Sequence, residues 1–592
     1  MKSDNGKTIE TKIYNDKSIA NEFNKYFVNI GPKLSANIKY CSKKTVAHYL
    51  LSPTKSRFHF ELVSDKQVLD HIMSIKPKDS SGIDNISSKL LIQLAPILHP
   101  ILALLINKSL MTGIFPDKLK VAIVTPIYKG KNTDQHEFGN YRPISVLPAI
   151  SKIFEKVVHS QIYEYMNKKN FLNRSQYGFR AKHSTEYATI EFVEKAAKSL
   201  DNSHIPFSVF IDLSKAFDTL DHSILFEKLQ YYGIHGTELE WFKNYLTDRT
   251  QYVTYNKTLS SAQYLTTGVP QGSVLGPLLF LIYINDISNA SKLFEAILFA
   301  DDTNLFSTMN MFYTFTPKTK YDMDILSNRI NKELEKIYEW LQINKLSLNV
   351  DKTKYMIFHS KQKNIAKYDK LDLKINDKSI QRTNSFNFLG IIINENLNWN
   401  DHITFISNKI NPVVGLLNRL KNQLPTHILK MIYNSLILSR LHYGNIIWGH
   451  HPGSLIRLNK KALRAMANTG SNAHSNVIEK KLKLLSLPDI HKMKLLCFYK
   501  RYIELNLPYN LHAMFDKIDI LNTPVYPRTA LYRNTVHFSL PTFMATVEDE
   551  LITGANKVSY GSYKYSIKKY FFNTYSSLCT QIGCKACSLV PD

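Results

Sequence analysis

The pattern of apolar and polar positions divides the chain into a mixed region and a helical region. In residues 106–395, helical spacing alternates with short apolar strands such as Phe207–Ile211 and Ala296–Ala300, which predicts a mixed α/β fold. Beyond Trp399 the apolar residues recur every three or four positions. That spacing is typical of amphipathic helices, so the second region is predicted to be helical.

The N-terminal part of the chain contains two apolar segments. The first, Ile19–Ile30, has helical spacing within a polar stretch rich in Lys and Asn. The second, Leu90–Ile106, is the longest apolar stretch, but polar residues and prolines interrupt it. A lipid-facing helix tolerates such residues poorly, so two short buried helices and no membrane partner are predicted.

Composition favours an intracellular protein with a polyanionic partner. The sequence has 75 Lys and Arg against 49 Asp and Glu, a net charge of +26 spread along the chain. Such charge attracts phosphate backbones, although it also serves solubility. The start, Met1–Ala20, is polar and unlike a secretion signal, which predicts a nuclear or cytoplasmic location. Cys584 and Cys587 have zinc-site spacing, but stray cysteines explain them better, because a closed site uses four ligands.

Three aspartates carry the candidate chemistry. Asp212 follows the apolar strand Phe207–Ile211, while Asp301 and Asp302 stand at the expected tip of a β-hairpin. Ordinary turn residues would explain either group alone. Together they suggest a site for two divalent ions about 3.5–4 Å apart, because such a site needs carboxylates converging from separate strands.

Five motifs in one order resemble a known enzyme family. They are Asn140–Ser145, Gln176–Arg180 with His183–Thr185, Ile211–Asp218, Gly268–Ser273 and Phe299–Asp302. Their order is similar to that of the reverse transcriptases of non-LTR retrotransposons of the jockey-like, LINE type, over roughly residues 15–470. The resemblance implies an α+β, right-hand polymerase with fingers, a palm built on an antiparallel sheet, and a helical thumb.

The resemblance also implies a division of the chain. Residues 1–105 would be an N-terminal extension leading into the fingers, and residues 106–395 the fingers and palm. Residues 396–470 would be the thumb, and residues 471–592 a mostly helical extension of unknown role. Family members usually carry an endonuclease before the polymerase, and its motifs are not recognised here. A truncated open reading frame is therefore expected.

Catalytic roles follow from the matching positions. Asp212, Asp301 and Asp302 resemble the carboxylates that bind two Mg²⁺ ions, with Mn²⁺ as a possible substitute. Lys352 resembles a lysine that protonates the leaving pyrophosphate, and Lys354 is its rival for this role.

Nucleotide-binding roles are implied for a second group of residues. Lys129 and Arg142 resemble fingers cations that bind the triphosphate, and Gln271 resembles a residue that supports the template and the nucleotide. Phe217 resembles the steric gate that excludes a ribose 2′-hydroxyl, although an ordinary core aromatic is the alternative.

The nucleic acid would contact further positions. Phe388, Leu389 and Gly390 resemble the primer grip, but a simple strand and turn would give the same pattern. Basic residues expected to bind nucleic acid are Arg180, Arg419, Lys421, Lys460 and Arg464. A solvated basic face is the alternative for the helical ones.

The implied function is template-directed synthesis of DNA. Expected partners are an RNA template, a DNA primer or target, and deoxynucleoside triphosphates, with target-primed copying as the family's reaction. A catalytically idle, RNA-binding remnant is one alternative. A viral RNA-templated RNA polymerase is another, which Phe217 opposes because that enzyme must admit the 2′-hydroxyl.

Overall fold

The computed structural model of the chain describes most of its residues. The described residues are 2–4, 7–9, 15–38, 43–50, 53–130, 134–312, 319–362, 365, 368, 371–516 and 527–575. Cys584 and Cys587, with their possible zinc spacing, lie outside them.

Up to residue 343, the described residues form a mixed series of strands and helices. The strands are β1 (Lys2–Asp4), β2 (Lys7–Ile9), β3 (Val121–Tyr128), β4 (Tyr141–Val146), β5 (Pro206–Ile211), β6 (Arg249–Tyr255), β7 (Thr258–Leu259), β8 (Gln263–Leu265), β9 (Glu295–Phe299) and β10 (Asp302–Thr308). The helices are α1 (Asp16–Ala36), α2 (Asp65–Met73), α3 (Ser88–Thr112), α4 (Ala149–Lys168), α5 (Thr185–Asp201), α6 (His222–Tyr231), α7 (Gly236–Leu246), α8 (Leu275–Ile284) and α9 (Lys320–Ile343).

After residue 343, short strands give way to helices. The strands are β11 (Lys354–Ile357), β12 (Lys374–Ile375), β13 (Lys378–Ser379), β14 (Gln381–Arg382), β15 (Ser385–Phe388) and β16 (Ile391–Asn394). The helices are α10 (Asn400–Leu420), α11 (Thr426–Tyr433), α12 (Ser439–His442), α13 (Asn445–Trp448), α14 (Leu455–Met466), α15 (Ser475–Leu482), α16 (Leu487–Ile503), α17 (Tyr509–Phe515), α18 (Ala530–Arg533), α19 (Val536–Met544), α20 (Asp549–Lys557) and α21 (Tyr560–Thr574).

A five-stranded sheet contains the strands that lead into the acidic motifs. Its strand order is β14-β11-β5-β10-β9. The central strand β5 is buried at every position, as expected for an apolar strand covered on both faces. The β9–β10, β10–β5 and β5–β11 pairs are antiparallel, as predicted, whereas β11 and β14 pair in parallel. The sheet is therefore mixed at one edge.

A second sheet forms the other half of the mixed region. Strands β4, β3, β6 and β7 lie in that order, and β8 pairs with β6. The predicted amphipathic helix exists as α1, and its Phe23 and Phe27 pack with Val124 and Val253 of this sheet. Buried Asn24 donates to the carbonyl of Gln251, which ties the helix to β6 of this sheet.

The longest apolar stretch differs from its prediction. Instead of two short buried helices it forms one helix, α3, with Pro96 and Pro100 inside it. One side faces the core, but Leu104 is 70% exposed and Ile97 is 72% exposed. The helix is long and apolar enough to cross a membrane, with 28% of the apolar window buried. One such helix is weak evidence, because core helices of soluble proteins satisfy the same criterion.

The region beyond Trp399 is helical, as predicted. Its helices α10, α14, α16 and α21 share one apolar core with α5, so the helical region packs directly on the mixed region. A mixed α/β body followed by helices confirms the predicted fold class.

Candidate active site

Asp212 and the acidic hairpin meet at one end of the mixed sheet. Strands β9 and β10 form the predicted hairpin, whose turn is Ala300 and Asp301. In the register of β10 and β5, Thr303 lies opposite Ile211, so the next positions outward are Asp302 and Asp212. The Cα atoms of opposed residues in antiparallel strands lie about 5 Å apart. Carboxylates distant in the sequence are thus neighbours.

Burial and the neighbouring carboxylates raise the pKa values of the two hairpin acids. Burial and the charge of Asp212 raise the pKa of Asp301. Burial and the charges of Asp301 and Asp212 raise the pKa of Asp302 to about 6. Like charges disfavour each other's ionised forms, so the cluster is strained by repulsion that a bound cation would relieve.

The donor set fits a divalent cation that shares its ligands with a substrate. Within the described ranges, no three His, Cys, Asp or Glu side chains are grouped so as to hold a metal by themselves. Mg²⁺, however, is commonly held by one or two carboxylates, with waters and substrate phosphates completing its shell. The acids at positions 212 and 301 supply that kind of incomplete site.

Gln176 fixes the tip of the hairpin. Its side-chain Oε1 accepts hydrogen bonds from the backbone N–H of Gly178 at 2.8 Å and of Ala300 at 3.0 Å. Ala300 has a φ of 56°, a conformation that non-glycine residues adopt only when their surroundings impose it. The sequence placed Gln176 in a motif but assigned it no role, because the bond spans more than a hundred residues.

Cations from separate segments of the chain lie near one another, and one of them lies beside Asp212. The Lys129 side chain donates to the Gly139 carbonyl at 2.6 Å. Burial and the charges of Lys215, Arg142 and Lys352 lower the pKa of Lys129. The structure therefore brings Lys129, Arg142 and Lys352 together as neighbouring positive charges. Lys215, which the sequence assigned no role, joins the same group.

Of the two rival lysines, Lys352 contacts the acids. Its Nζ lies 3.9 Å from a carboxylate oxygen of Asp212, and its side chain is 71% exposed. Lys354 stands on β11 opposite Phe210. Both line the same cavity, of about 390 Å³, together with Asp212 and Asp302.

The loop with Gln271 is anchored from three directions. The Gln271 amide donates to a carboxylate oxygen of Asp218 at 2.7 Å, and its carbonyl accepts from the Ser145 N–H at 3.1 Å. The buried carboxylate of Glu155 accepts from the N–H groups of Val274 and Leu275, at the start of α8. Burial raises the pKa of Glu155. No local sequence pattern indicates this role for Glu155, because its helix is far from the loop in the sequence although the two are in contact in the fold.

Phe217 is held by other aromatic rings. It stacks on Phe280 with centroids 4.4 Å apart and meets Phe179 edge-on at 6.1 Å. The side chain is half-buried. Part of the Phe217 ring thus packs on the core, and part is exposed to solvent. Its position agrees both with a steric gate and with an ordinary core aromatic.

The predicted primer-grip residues form the turn of the β15–β16 hairpin. Leu389 and Gly390 occupy the turn with φ of 49° and 86°. The Tyr443 hydroxyl donates to the Leu389 carbonyl and lies at hydrogen-bond distance, 2.9 Å, from the Thr185 hydroxyl, which can donate to it. These bonds join the helical region to the turn. Phe388 and Leu389 line the cavity that holds Asp212 and Asp302, so the turn faces the acids.

The predicted basic residues lie in two parts of the fold. Arg180 lies beside the mixed sheet, where it donates to the Asn173 carbonyl. Arg419 and Lys421 end α10, while Lys460 and Arg464 lie on α14, which packs against α10. The Arg464 Nε donates to the Ala473 carbonyl, so part of its hydrogen-bonding capacity serves the fold.

Comparison with known families defines the class of this domain. Residues 129–393 match the family described as reverse transcriptase (RNA-dependent DNA polymerase). That span contains the sheet with the acidic hairpin, the strands of the second sheet other than β3, and the predicted primer-grip turn. The chain therefore contains a reverse transcriptase domain.

Curated relatives narrow the class further. The chain is 25% identical over 550 residues to an RNA-directed DNA polymerase from the mobile element jockey of Drosophila melanogaster, covering 90% of this chain and 57% of the relative. It is 26% identical over 408 residues to a probable RNA-directed DNA polymerase from the transposon X-element of the same species, covering 66% and 42%. The chain is thus homologous over most of its length to non-LTR retrotransposon proteins, and it spans about half of their length.

Proposed function

We propose that this chain is an RNA-directed DNA polymerase that adds deoxynucleotides to a primer 3′-hydroxyl, in the copying of a retrotransposon RNA. Its template would be RNA, and its primer a DNA end at the target, as in target-primed reverse transcription. We further propose residues 106–395 as fingers and palm and residues 396–470 as the thumb.

The observation that carries the proposal is the meeting of Asp212 with the acidic hairpin. The register of β5 and β10 makes the two strand ends neighbours, and burial together with mutual repulsion raises the pKa of Asp301 and Asp302. Such an energetically costly cluster is typical of a functional site. Chance turn residues would not require burial of like charges together.

The surrounding residues divide the work of nucleotide addition. Asp212 and Asp301, with Asp302, would hold divalent cations, preferably Mg²⁺. When bound, these ions would activate the primer hydroxyl and neutralise the charge of the leaving pyrophosphate. Lys129, Lys215 and Arg142 would bind the triphosphate as fixed positive charges. Lys352, whose Nζ lies 3.9 Å from a carboxylate oxygen of Asp212, would donate a proton to the leaving pyrophosphate.

Phe217 would set the preference for deoxynucleotides. Its ring is immobilised by Phe280 and Phe179 and remains partly exposed. A rigid aromatic ring excludes a 2′-hydroxyl better than a mobile one, because it cannot turn aside. Phe217→Ala is expected to admit ribonucleotides.

The proposal is tested by primer extension. The purified chain is given an RNA template, an annealed DNA primer, Mg²⁺ and deoxynucleotides, and extended primer is measured on a gel. Asp301→Ala is expected to abolish extension while hybrid binding persists. Asp324→Ala removes an exposed aspartate from α9 and serves as the matched control, which should extend like the wild type.

Two outcomes would contradict the proposal. Failure of freshly purified wild-type chain to extend any primer, with hybrid binding intact, would support the idle RNA-binding remnant instead. Equal extension by wild type and Asp301→Ala would show that the acidic hairpin is not the catalytic site.

A further inference from the structure

A second cavity, distinct from the acidic one, lies between the reverse transcriptase domain and the helical extension. Its volume is about 150 Å³, and Arg174, Arg180 and Lys182 line one side. Pro508 and Tyr509, from the start of α17, line the other. These two residues lie outside the span that matches the family, so the extension completes a site that the domain alone lacks.

The cavity is basic and lacks a counter-charge. No Asp or Glu is among its lining residues, and none of its cations forms an ion pair with another described residue. Arg180 donates to the Asn173 carbonyl at 2.7 Å, yet its buried Nε has no partner in the described part of the chain. A partly buried cation without a counter-ion is costly, so the site favours an anion.

The same wall offers an aromatic surface. The Arg174 guanidinium lies 3.8 Å from the centre of the Tyr509 ring, which is 58% exposed. Cations that accompany an exposed aromatic ring are typical of surfaces that bind single-stranded nucleic acid, where phosphates pair with cations and bases stack. A free phosphate ion would use the cations but not the ring.

The cavity is connected to the catalytic hairpin through a short segment. Gln176 holds Ala300, and Arg180 follows four positions later, with Phe179 in contact with Phe217 between them. A nucleic-acid strand bound by Arg180 would therefore lie close to the nucleotide site.

We propose that this cavity binds a backbone phosphate of single-stranded nucleic acid, with an adjacent base on Tyr509. The inference rests on the proposed function at one point, which is that the bound strand is a nucleic acid that the polymerase uses. It gives the C-terminal extension a role, which is to complete a nucleic-acid site beside the polymerase domain.

The test measures binding without catalysis. A fluorescently labelled single-stranded RNA of fifteen nucleotides, and its DNA counterpart, are titrated by anisotropy without metal or deoxynucleotides over a range of salt. Lys182→Gln is expected to weaken binding and to lower the slope of log affinity against log salt by about 0.7, the value for one lost phosphate contact. Tyr509→Ala is expected to weaken binding about fivefold or more.

Matched controls separate this site from general charge loss. Lys66→Gln removes an exposed lysine from α2, and Tyr565→Ala removes an exposed tyrosine from α21; both should bind like the wild type. Wild-type affinity and salt slope in both Lys182→Gln and Tyr509→Ala would overturn the proposal. The proposal would also be overturned if inorganic phosphate bound in the cavity, at matched ionic strength, without changing the affinity for the oligonucleotide.

The outcome is independent of the proposed polymerase. A chain that binds through this cavity but never extends a primer refutes the polymerase and keeps the site. A chain that extends primers while both cavity variants bind normally keeps the polymerase and refutes the site.

Discussion

The bond from Gln176 to the hairpin gives a sharp prediction. Gln176→Leu keeps the volume of the side chain but removes the acceptor used by the buried N–H groups of Gly178 and Ala300. The amide Nε2 has no partner among the described atoms, so nothing else is lost. Each unsatisfied buried donor costs about 1–3 kcal/mol, which gives about 2–6 kcal/mol for the pair.

That cost should appear at the acids rather than in global unfolding. Ala300 is held in a left-handed conformation, so loss of its bond lets the turn relax and displaces Asp301. If the whole cost falls on the transition state of nucleotide addition, kcat/KM drops by roughly 30- to 26,000-fold. Hydrogen exchange of the Ala300 amide should accelerate in parallel, which gives a readout independent of activity.

The assay is steady-state incorporation of a single deoxynucleotide on an RNA template, with hydrogen exchange measured by mass spectrometry. Gln161→Leu is the matched control, because Gln161 bonds the backbone of Glu61 in an exposed position where water can replace it. Less than a threefold change in kcat/KM, with unchanged exchange at Ala300, would refute the view that Gln176 positions the hairpin.

Three further predictions test the surrounding structure. Glu155→Ala removes the acceptor at the start of α8, so it should lower the free energy of unfolding by roughly 2–4 kcal/mol and the thermal midpoint with it. Exposed Glu335→Ala should lower neither, and equal midpoints in the two variants would contradict the anchoring role. Burial raises the pKa of Glu194 from 4.5 to about 7, so the native state holds a proton that the unfolded state releases, and stability should fall as pH rises between these values. Urea unfolding of Glu194→Gln should lack that fall, of up to about 3 kcal/mol; a wild-type profile in the variant would refute the assignment. Phe217→Ala should incorporate ribonucleotides, and unchanged sugar selectivity in competition assays would place the gate elsewhere.

Local patterns were sufficient for the elements and for several site residues. The apolar runs before Asp212 and Asp301 predicted strands that end in acids, and the structure contains them as β5 and β9. Alternation and helical spacing depend on near neighbours in the chain, so they can be read without a fold. For α3 the same approach failed, because prolines within an apolar stretch were taken as breaks although the helix accommodates both.

Tertiary structure alone decided which groups act together. Gln176 with Ala300, Glu155 with Val274, and Lys215 with Lys129 are joined across long separations, and no local pattern distinguishes them from other polar residues. The basic cavity likewise exists only because α17 packs beside Arg174. Side chains of this kind acquire a function through hydrogen bonds and burial that depend on the path of the whole chain. The sequence therefore determined the strands and the acids at their ends, whereas packing decided what holds and surrounds them.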